Sequence, residues 1–450
     1  MKPFYLSAIC LACLQSSGSA FAININAPTG AITNFPSRLD SMVQPLQKTI
    51  EKTTEQKLQP LDRLSATADT LVEPVLELSR QLAQDLPKQL PILDADGKAV
   101  FVDVEVEHGW RAVEREWLVM IEDKDLPALQ PLEILEKTRF EQLAMTLVRF
   151  KATPELDSLA ALQKLLPAAI YEQMDRNHIY TAQNHNDDNN ITVNVKRNAV
   201  CKLPLTLGMI DTAINSNHPA FTKNKKHTKI ISQDFLNESL VAPDVHGTAV
   251  ASLFIGKTKQ LQPLLPKATL YSASVFFSRN EYSQGATMLN LVRALNWLAG
   301  QKLSVINMSL AGPANQILAR VVEKMLANGY VIVAAAGNQG PAAPALFPAA
   351  YPGVIAVTAV DKEQKNYRWA NQGKYISFAA LGVAVLTARS AGGEANESGT
   401  SMAAPVVSAL MACELAQKQS SPAQALADLI LKAVDLGEIG RDAVFGYGAL

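Results

Sequence analysis

Apolar residues recur at helical spacing between positions 38 and 86: Leu39, Val43, Leu46 and Ile50, then Leu61, Leu64, Ala68, Leu71, Val75, Leu78, Leu82 and Leu86. This period predicts two amphipathic helices, and Pro45, Pro60 and Pro74 divide them, which argues against one long coiled coil. From about 100 to 180 the pattern changes. Short apolar runs predict strands at 101–106, 117–122, 143–150 and 169–174, with helices at 126–136 and 156–166, the mixture expected of a small α+β module. Asp94-Ala95-Asp96-Gly97 lies between apolar runs and reads as a hairpin turn rather than a calcium loop, because the remaining ligands are missing. The polar stretch from Thr181 to Asn190 has little to bury and predicts an exposed linker, a place where proteolysis concentrates. Beyond it, continuous apolar strands at 206–211, 229–235, 269–275, 305–310, 331–336 and 354–360 alternate with helices beginning at His246, Tyr282, Gln316 and Ser401. Strands apolar on both faces between helices predict an α/β domain with a doubly wound parallel sheet, whose functional groups gather at the C-terminal strand ends.

The first residues have a different purpose. Lys2 precedes an apolar run from Phe4 to Leu14, then a polar stretch and Ala20-Phe21-Ala22. This is the layout of a signal peptide cleaved after Ala22, its apolar run too short to span a bilayer. The expected organisation is a signal peptide (1–22), a helical segment (23–95), an α+β module (96–180), a linker with a processing site (181–203) and an α/β domain (204–450). The chain has 450 residues, 48% of them hydrophobic, with a formal net charge of -1, enough to bury a large core and fill more than one domain. No basic block or aromatic-basic interleaving points to nucleic acid. Cys10 and Cys13 would leave with the signal. Cys201 and Cys413 would remain in an oxidising compartment, where a bridge is open to them, although two separate buried thiols are the favoured reading.

Candidate chemistry centres on Gly399-Thr400-Ser401-Met402-Ala403-Ala404-Pro405, a serine between a glycine turn and the first turn of an apolar helix. A serine hydroxyl is a poor nucleophile at neutral pH and needs a base, a group to orient the base, and donors for an oxyanion. His246, in Val245-His246-Gly247-Thr248, is the candidate base. Asp211, at the end of the 206–211 strand, is the candidate orienter, keeping the imidazole in the tautomer that accepts the serine proton. Asn338, in the glycine-flanked run after the 331–336 strand, can donate a side-chain hydrogen bond to an oxyanion, with the Ser401 N–H as second donor. Pro405 is expected in the first turn of its helix, where a missing N–H costs nothing. The other five histidines show no metal-ligand spacing.

The chain order Asp, His, Asn, Ser, carried by Asp211-Thr212, His218-Pro219, His246-Gly247-Thr248, Ala335-Ala336-Gly337-Asn338 and the run from Gly399 to Pro405, resembles the subtilisin-like serine proteases over about 205–450. The resemblance implies a catalytic triad of Asp211, His246 and Ser401, with Asn338 in the oxyanion hole. It implies that Ser309, Leu310, Ala311 and Gly312 form a strand that binds extended peptide, with Ala335, Ala336 and Gly337 leaving room for a substrate side chain. It further implies that the module at 96–180 is a prodomain acting as an intramolecular inhibitor, so that the protein would be an exported, periplasmic or secreted zymogen acting on protein or peptide substrates. No cofactor is needed for such chemistry, and structural calcium, common in the family, has no ligand loop to which it can be assigned. Two departures, Ala213 and Ala249 in place of the family's usual glycine and histidine, remove no reacting atom. A silent binding protein of the cell envelope on the same fold is the alternative.

Overall fold

The computed structural model describes residues 86–182, 198–223, 225–237, 239–280 and 283–450, all within one compact unit. The expected signal peptide and most of the expected 23–95 helical segment lie outside these residues.

The N-terminal module opens with β1 (Gln89–Leu93) and β2 (Ala99–Glu105), paired antiparallel across the expected turn at Asp94–Gly97, where Gly97 adopts φ +79°. Strand β1 therefore joins the module, which extends across the expected boundary at 95/96. Then come β3 (Arg111–Ile121), β4 (Glu133–Phe140), β5 (Met145–Lys151), the short helices α1 (Leu159–Leu165) and α2 (Ala168–Tyr171), and β6 (Met174–Ala182). Two expectations fail here. The helix at 126–136 is instead a short 3-10 stretch, Asp123–Leu129, followed by β4, because Pro127 and Pro131 interrupt the three-residue spacing of Leu126, Leu129 and Leu132. The strand at 169–174 is α2, and the strand proper starts at Met174 and runs through Ala182 into the region expected to be linker.

The larger domain follows with β7 (Thr206–Asp211), α3 (Pro219–Thr222), β8 (Lys229–Asp234), α4 (Val245–Ile255), β9 (Thr269–Ser274), β10 (Phe277–Ser278), β11 (Gln284–Thr287), α5 (Met288–Ala299), β12 (Val305–Met308) and β13 (Leu310–Ala311). It continues with α6 (Gln316–Ala327), β14 (Val331–Ala335), β15 (Ile355–Val360), β16 (Ile376–Leu381), β17 (Val385–Ala388), β18 (Glu394–Glu397), α7 (Thr400–Lys418) and α8 (Pro422–Lys432). Seven strands form a parallel sheet in the order β16-β15-β14-β12-β7-β9-β8. Leu207, Met209 and Ile210 of β7 are fully buried, as a central strand covered on both faces requires. Val250, Phe254, Met402 and Val407 of α4 and α7 share one core with Leu207 and Met209, while Leu291, Leu295, Val321 and Met325 of α5 and α6 share another with Ile210. The helix expected to open at Tyr282 opens at Met288, because Gln284–Thr287 is drawn into a strand.

That strand belongs to a second sheet, antiparallel and nine-stranded, which crosses from the module into the larger domain. Its path runs β1-β2-β3-β6-β11-β10, and β13 also pairs with β6. Leu118, Met120, Phe140, Leu143 and Leu147 of the module accordingly share a core with α5 and α6.

Cys201 and Cys413 form a disulfide, with Cα atoms 5.7 Å apart, correcting the expectation of two separate thiols. The bridge ties the segment before β7 to α7, closing a loop across a sequence separation of 212. Cross-linking a chain restricts its unfolded ensemble, so the double substitution Cys201→Ala with Cys413→Ala should lower stability by about 2–4 kcal/mol in denaturant titration under non-reducing conditions. Equal midpoints with and without the cysteines would rule out a stabilising bridge.

Candidate active site

Strand β7 ends at Asp211, fully buried, whose Oδ1 accepts the Thr212 N–H at 2.7 Å and lies 2.6 Å from His246 Nδ1. A carboxylate there makes Nδ1 the donor and Nε2 the basic nitrogen of the neutral ring. His246 stands in the first turn of α4 because that helix lies almost on the chain leaving β7. A Cβ at Gly247 would meet the Thr212 carbonyl oxygen at 2.4 Å and that of Ala213 at 2.5 Å, so only glycine allows the approach. Two threonines tie the contact: the Gly247 N–H donates to Thr212 Oγ1 at 2.7 Å, and the Asn215 N–H to Thr248 Oγ1 at 2.8 Å. Alanine is accommodated at 213, where φ is not positive and the N–H donates to the Pro243 carbonyl at 2.9 Å.

Asn338 follows β14 through Gly337, which takes φ +111°. Its Oδ1 accepts both the Thr400 N–H and the Thr400 hydroxyl, each at 3.0 Å, which fixes which face of the amide carries the Nδ2 donor. Gly399, at φ +149°, brings its own backbone against this amide: a Cβ there would sit 2.9 Å from Asn338 Nδ2.

Ser401 is the second residue of α7 and is fully buried, with Oγ 3.5 Å from the Ser309 carbonyl oxygen. His246 Nε2 is buried and has no hydrogen-bond partner among the described residues. The structure thus joins Asp211 to His246 and Asn338 to the turn before Ser401, and records no hydrogen bond between Ser401 and His246. Pro405 is the sixth residue of α7, not part of its first turn, and so it leaves the Ser401 carbonyl without its usual i+4 donor. Ser309 Oγ supplies the missing hydrogen bond at 3.3 Å. Asn307 Nδ2 in turn donates to Ser309 Oγ at 2.9 Å, and Ser408 Oγ donates to Asn307 Oδ1 at 3.0 Å. The composition of these segments gave no sign of this buried chain.

Leu310 and Ala311 pair with Ala182 and Thr181 of β6, while Ala286 and Thr287 of β11 pair with Tyr180 and Ile179. The Tyr180 ring lies over Gly312, where a Cβ would be 2.4 Å from Cδ1, and the Tyr180 hydroxyl donates to the Pro313 carbonyl at 2.6 Å. Ala335 and Ala336 are fully buried at the end of β14. Strand β6 also caps two helices: Asn177 Oδ1 accepts the Leu289 N–H of α5 at 3.1 Å, and Asp175 Oδ2 the Gln316 N–H of α6 at 2.9 Å. Burial pushes the Asp175 carboxyl up to about 6, against two backbone N–H donors and the Arg176 charge. Burial, reinforced by the Arg176 charge, takes His178 down to about 4, and its Nδ1 lies 2.9 Å from Asn315 Nδ2. Among the described residues no three His, Cys, Asp or Glu side chains cluster to hold a metal ion.

Residues 204–448 match the subtilase family, and the chain belongs to it. It is 30% identical over 212 residues to the minor extracellular protease Epr of Bacillus subtilis (strain 168), an alignment covering 46% of this chain and 32% of Epr. It is 33% identical over 239 residues to halolysin of Haloferax mediterranei, covering 51% and 45%. Against subtilisin DY of Bacillus licheniformis it is 32% identical over 239 residues, covering 52% and 84%. The chain thus spans less than half the length of the first two. Among solved structures, fervidolysin from Fervidobacterium pennivorans aligns with a TM-score of 0.60 at 17% identity, over 81% of this chain and 62% of its own. The epidermin leader peptide processing protease of Staphylococcus aureus aligns at 0.58 and 16%, over 75% and 96%. These two likenesses are of fold, and the parallel-sheet domain is of the subtilisin type.

Two outcomes follow from this geometry. Ser309→Ala orphans the buried Ser401 carbonyl and should cost about 1–3 kcal/mol in denaturant melts, against a neutral result if the hydroxyl is idle. The seam between the module and the larger domain contains groups of opposite pH response. His178, facing Asn315, Arg176, Glu107 and Asp175, is depressed, so it contributes stability above about pH 6.5 that is lost as pH falls toward 4. Asp175 is raised, so its contribution is present below about pH 3.8 and lost as pH rises through 6. Melting temperatures of the full chain should therefore fall on acidification from pH 6.5 to 4 in Asp175→Asn and rise over the same range in His178→Asn, each compared with the parent at the same pH; parallel profiles would refute the assignment.

Proposed function

We propose that the protein is an exported serine endopeptidase, made as a zymogen, that hydrolyses peptide bonds through an acyl-enzyme with Asp211, His246 and Ser401 as its triad. The observation that carries this reading is the convergence at one edge of the parallel sheet. His246 rests on Asp211, and Ser401 Oγ lies against the carbonyl of Ser309, next to a strand already pairing with an extended chain.

In this mechanism Asp211 accepts a hydrogen bond from Nδ1–H, which stays on the ring, and leaves Nε2 to take the Ser401 proton once the serine hydroxyl turns from the Ser309 carbonyl. The oxygen attacks the peptide carbonyl, and the oxyanion draws on the Ser401 N–H and Asn338 Nδ2, reinforced by the positive end of α7. Protonated His246 then gives its proton to the leaving amine; a water molecule, deprotonated by the same ring, attacks the acyl carbonyl, and the acyl group leaves as the ring returns that proton to Ser401 Oγ.

The module, 89–182, is proposed as the intramolecular inhibitor, since Thr181 and Ala182 occupy the strand where substrate would pair. Strand β6 ends at Ala182, opposite Leu310, one residue from Ser309. Processing is accordingly proposed C-terminal to Ala182, within 183–197. Export is supported by the signal-like sequence at 1–22, by the disulfide, and by the extracellular relative.

Expression of the full chain with its signal tests the proposal. The wild type should react with a serine-directed fluorophosphonate and yield an N-terminus within 184–198, whereas Ser401→Ala should keep the module and stay unlabelled. A wild type that does not label while control proteases do, or a Ser401→Ala chain cut at the same place in pure form, would sink the self-processing protease.

A further inference from the structure

Arg279, just after β10, is a buried cation that this mechanism does not use. Its side chain is 2% exposed, and its Nε lies 2.8 Å from Asp103 Oδ2. Asp103, on β2, is fully buried and shares its other oxygen with Arg111, whose Nε lies 2.7 Å away. One carboxylate therefore serves two guanidinium groups. Arg111 has further acceptors in the carbonyls of Pro87 and Asp103, at 2.8 and 2.9 Å, while Arg279 meets Asp103 as a close ion pair only: Asp103 Oδ2 and Arg279 Nε and Nη2 have no hydrogen-bond partner among the described residues.

Of these three residues only Arg279 belongs to the chain beyond the linker. Departure of the module takes both Asp103 and Arg111 away, and a guanidinium fitted to a carboxylate is left without one. A guanidinium uncovered in this way can donate charge-assisted hydrogen bonds to a new carboxylate.

The position of that anion follows from the register. The point where a Cβ at Gly285 would sit is 2.7 Å from Ile179 Cγ2 and 2.9 Å from Arg279 Nε. Glycine at 285 thus lets the guanidinium and the side chain at position 179 of the bound strand meet over β11. Thr287 of β11 pairs with Ile179, so an extended chain replacing β6 sets its equivalent residue in the same place. The module can have isoleucine there because Asp103 arrives separately from β2. A peptide without a β2 has to bring its own carboxylate.

We propose that in the processed enzyme Arg279 is a specificity-determining residue that binds an Asp or Glu side chain of the substrate, three residues upstream of the position occupied by Ala182. The assignment rests on the protease reading and adds a substrate class to it: extended peptides acidic at this upstream position.

The test uses the full chain, exported and self-processed, with fluorogenic peptides copying residues 177–188 in which Ile179 is kept, Ile179→Glu or Ile179→Lys. The glutamate peptide should be cut with a kcat/KM about tenfold above the lysine peptide at low salt, the size of one charge-assisted contact. The ratio should shrink as sodium chloride is raised toward 0.5 M, and Arg279→Gln should bring it close to one. If Arg279→Gln fails to fold or process, the charge ratio and its salt dependence in the wild type decide alone. Equal cleavage of the glutamate and lysine peptides by an enzyme that labels with fluorophosphonate overturns the inference and leaves the protease reading standing. A processed chain that neither labels nor cuts any of the peptides overturns both.

Discussion

The described molecule depends on one strand. Buried backbone N–H and C=O groups have to be paired, and the facing edges of β11 and β13 are both satisfied by β6. The same strand supplies side-chain acceptors to the first turns of α5 and α6, whose orphan N–H groups would otherwise need other partners. These contacts explain why the module and the larger domain share a sheet and a core rather than touching at polar surfaces. They also explain why so polar a strand is buried: Arg176, Asn177 and His178 each find a partner across the seam or within the module.

Around the candidate active site, glycine and threonine divide the labour. Gly247 and Gly399 permit backbones to approach within distances no side chain would allow, and Thr212 and Thr400 then tie the approaching segments together. The candidate side chains are held by neighbours in the same short motifs, which is why these motifs are compact in sequence. Pro405 adds a different constraint. By removing one helical donor it obliges β12 and β13 to provide another, and this couples the helix bearing Ser401 to the strand that holds extended chain.

Much of this was legible in the chain itself. The apolar runs ending at Asp211 and leading to Asn338 are strands because a covered parallel sheet needs both faces apolar, and the helices opening near His246 and Ser401 start where expected. What escaped depends on contacts far apart in sequence. Residues 174–182 lack a clear apolar alternation, since many of their partners are helix ends and strand edges more than a hundred residues away. Gln284–Thr287 is a strand because β10 and β6 lie on either side of it, and Leu126 to Leu132 keeps a helical spacing that two prolines prevent from becoming a helix. The disulfide escaped because no pairing rule predicts that the ends of two distant segments meet. The role of Ser309 escaped because a serine that repairs a helix reads like any other.

The pairing of β6 on both sides also has a steric meaning. With strands about 4.8 Å apart, the slot between β11 and β13 is about 9.6 Å across, the width of a single extended chain. Its walls are short, four residues in β11 and two in β13. A segment paired with a neighbour over the same residues cannot enter, because its partner would collide with one wall. For a protease of the proposed kind, the slot thus selects for the folding state of its substrate before any side chain is read: tails, loops and unfolded segments fit, and the interior of an intact sheet does not.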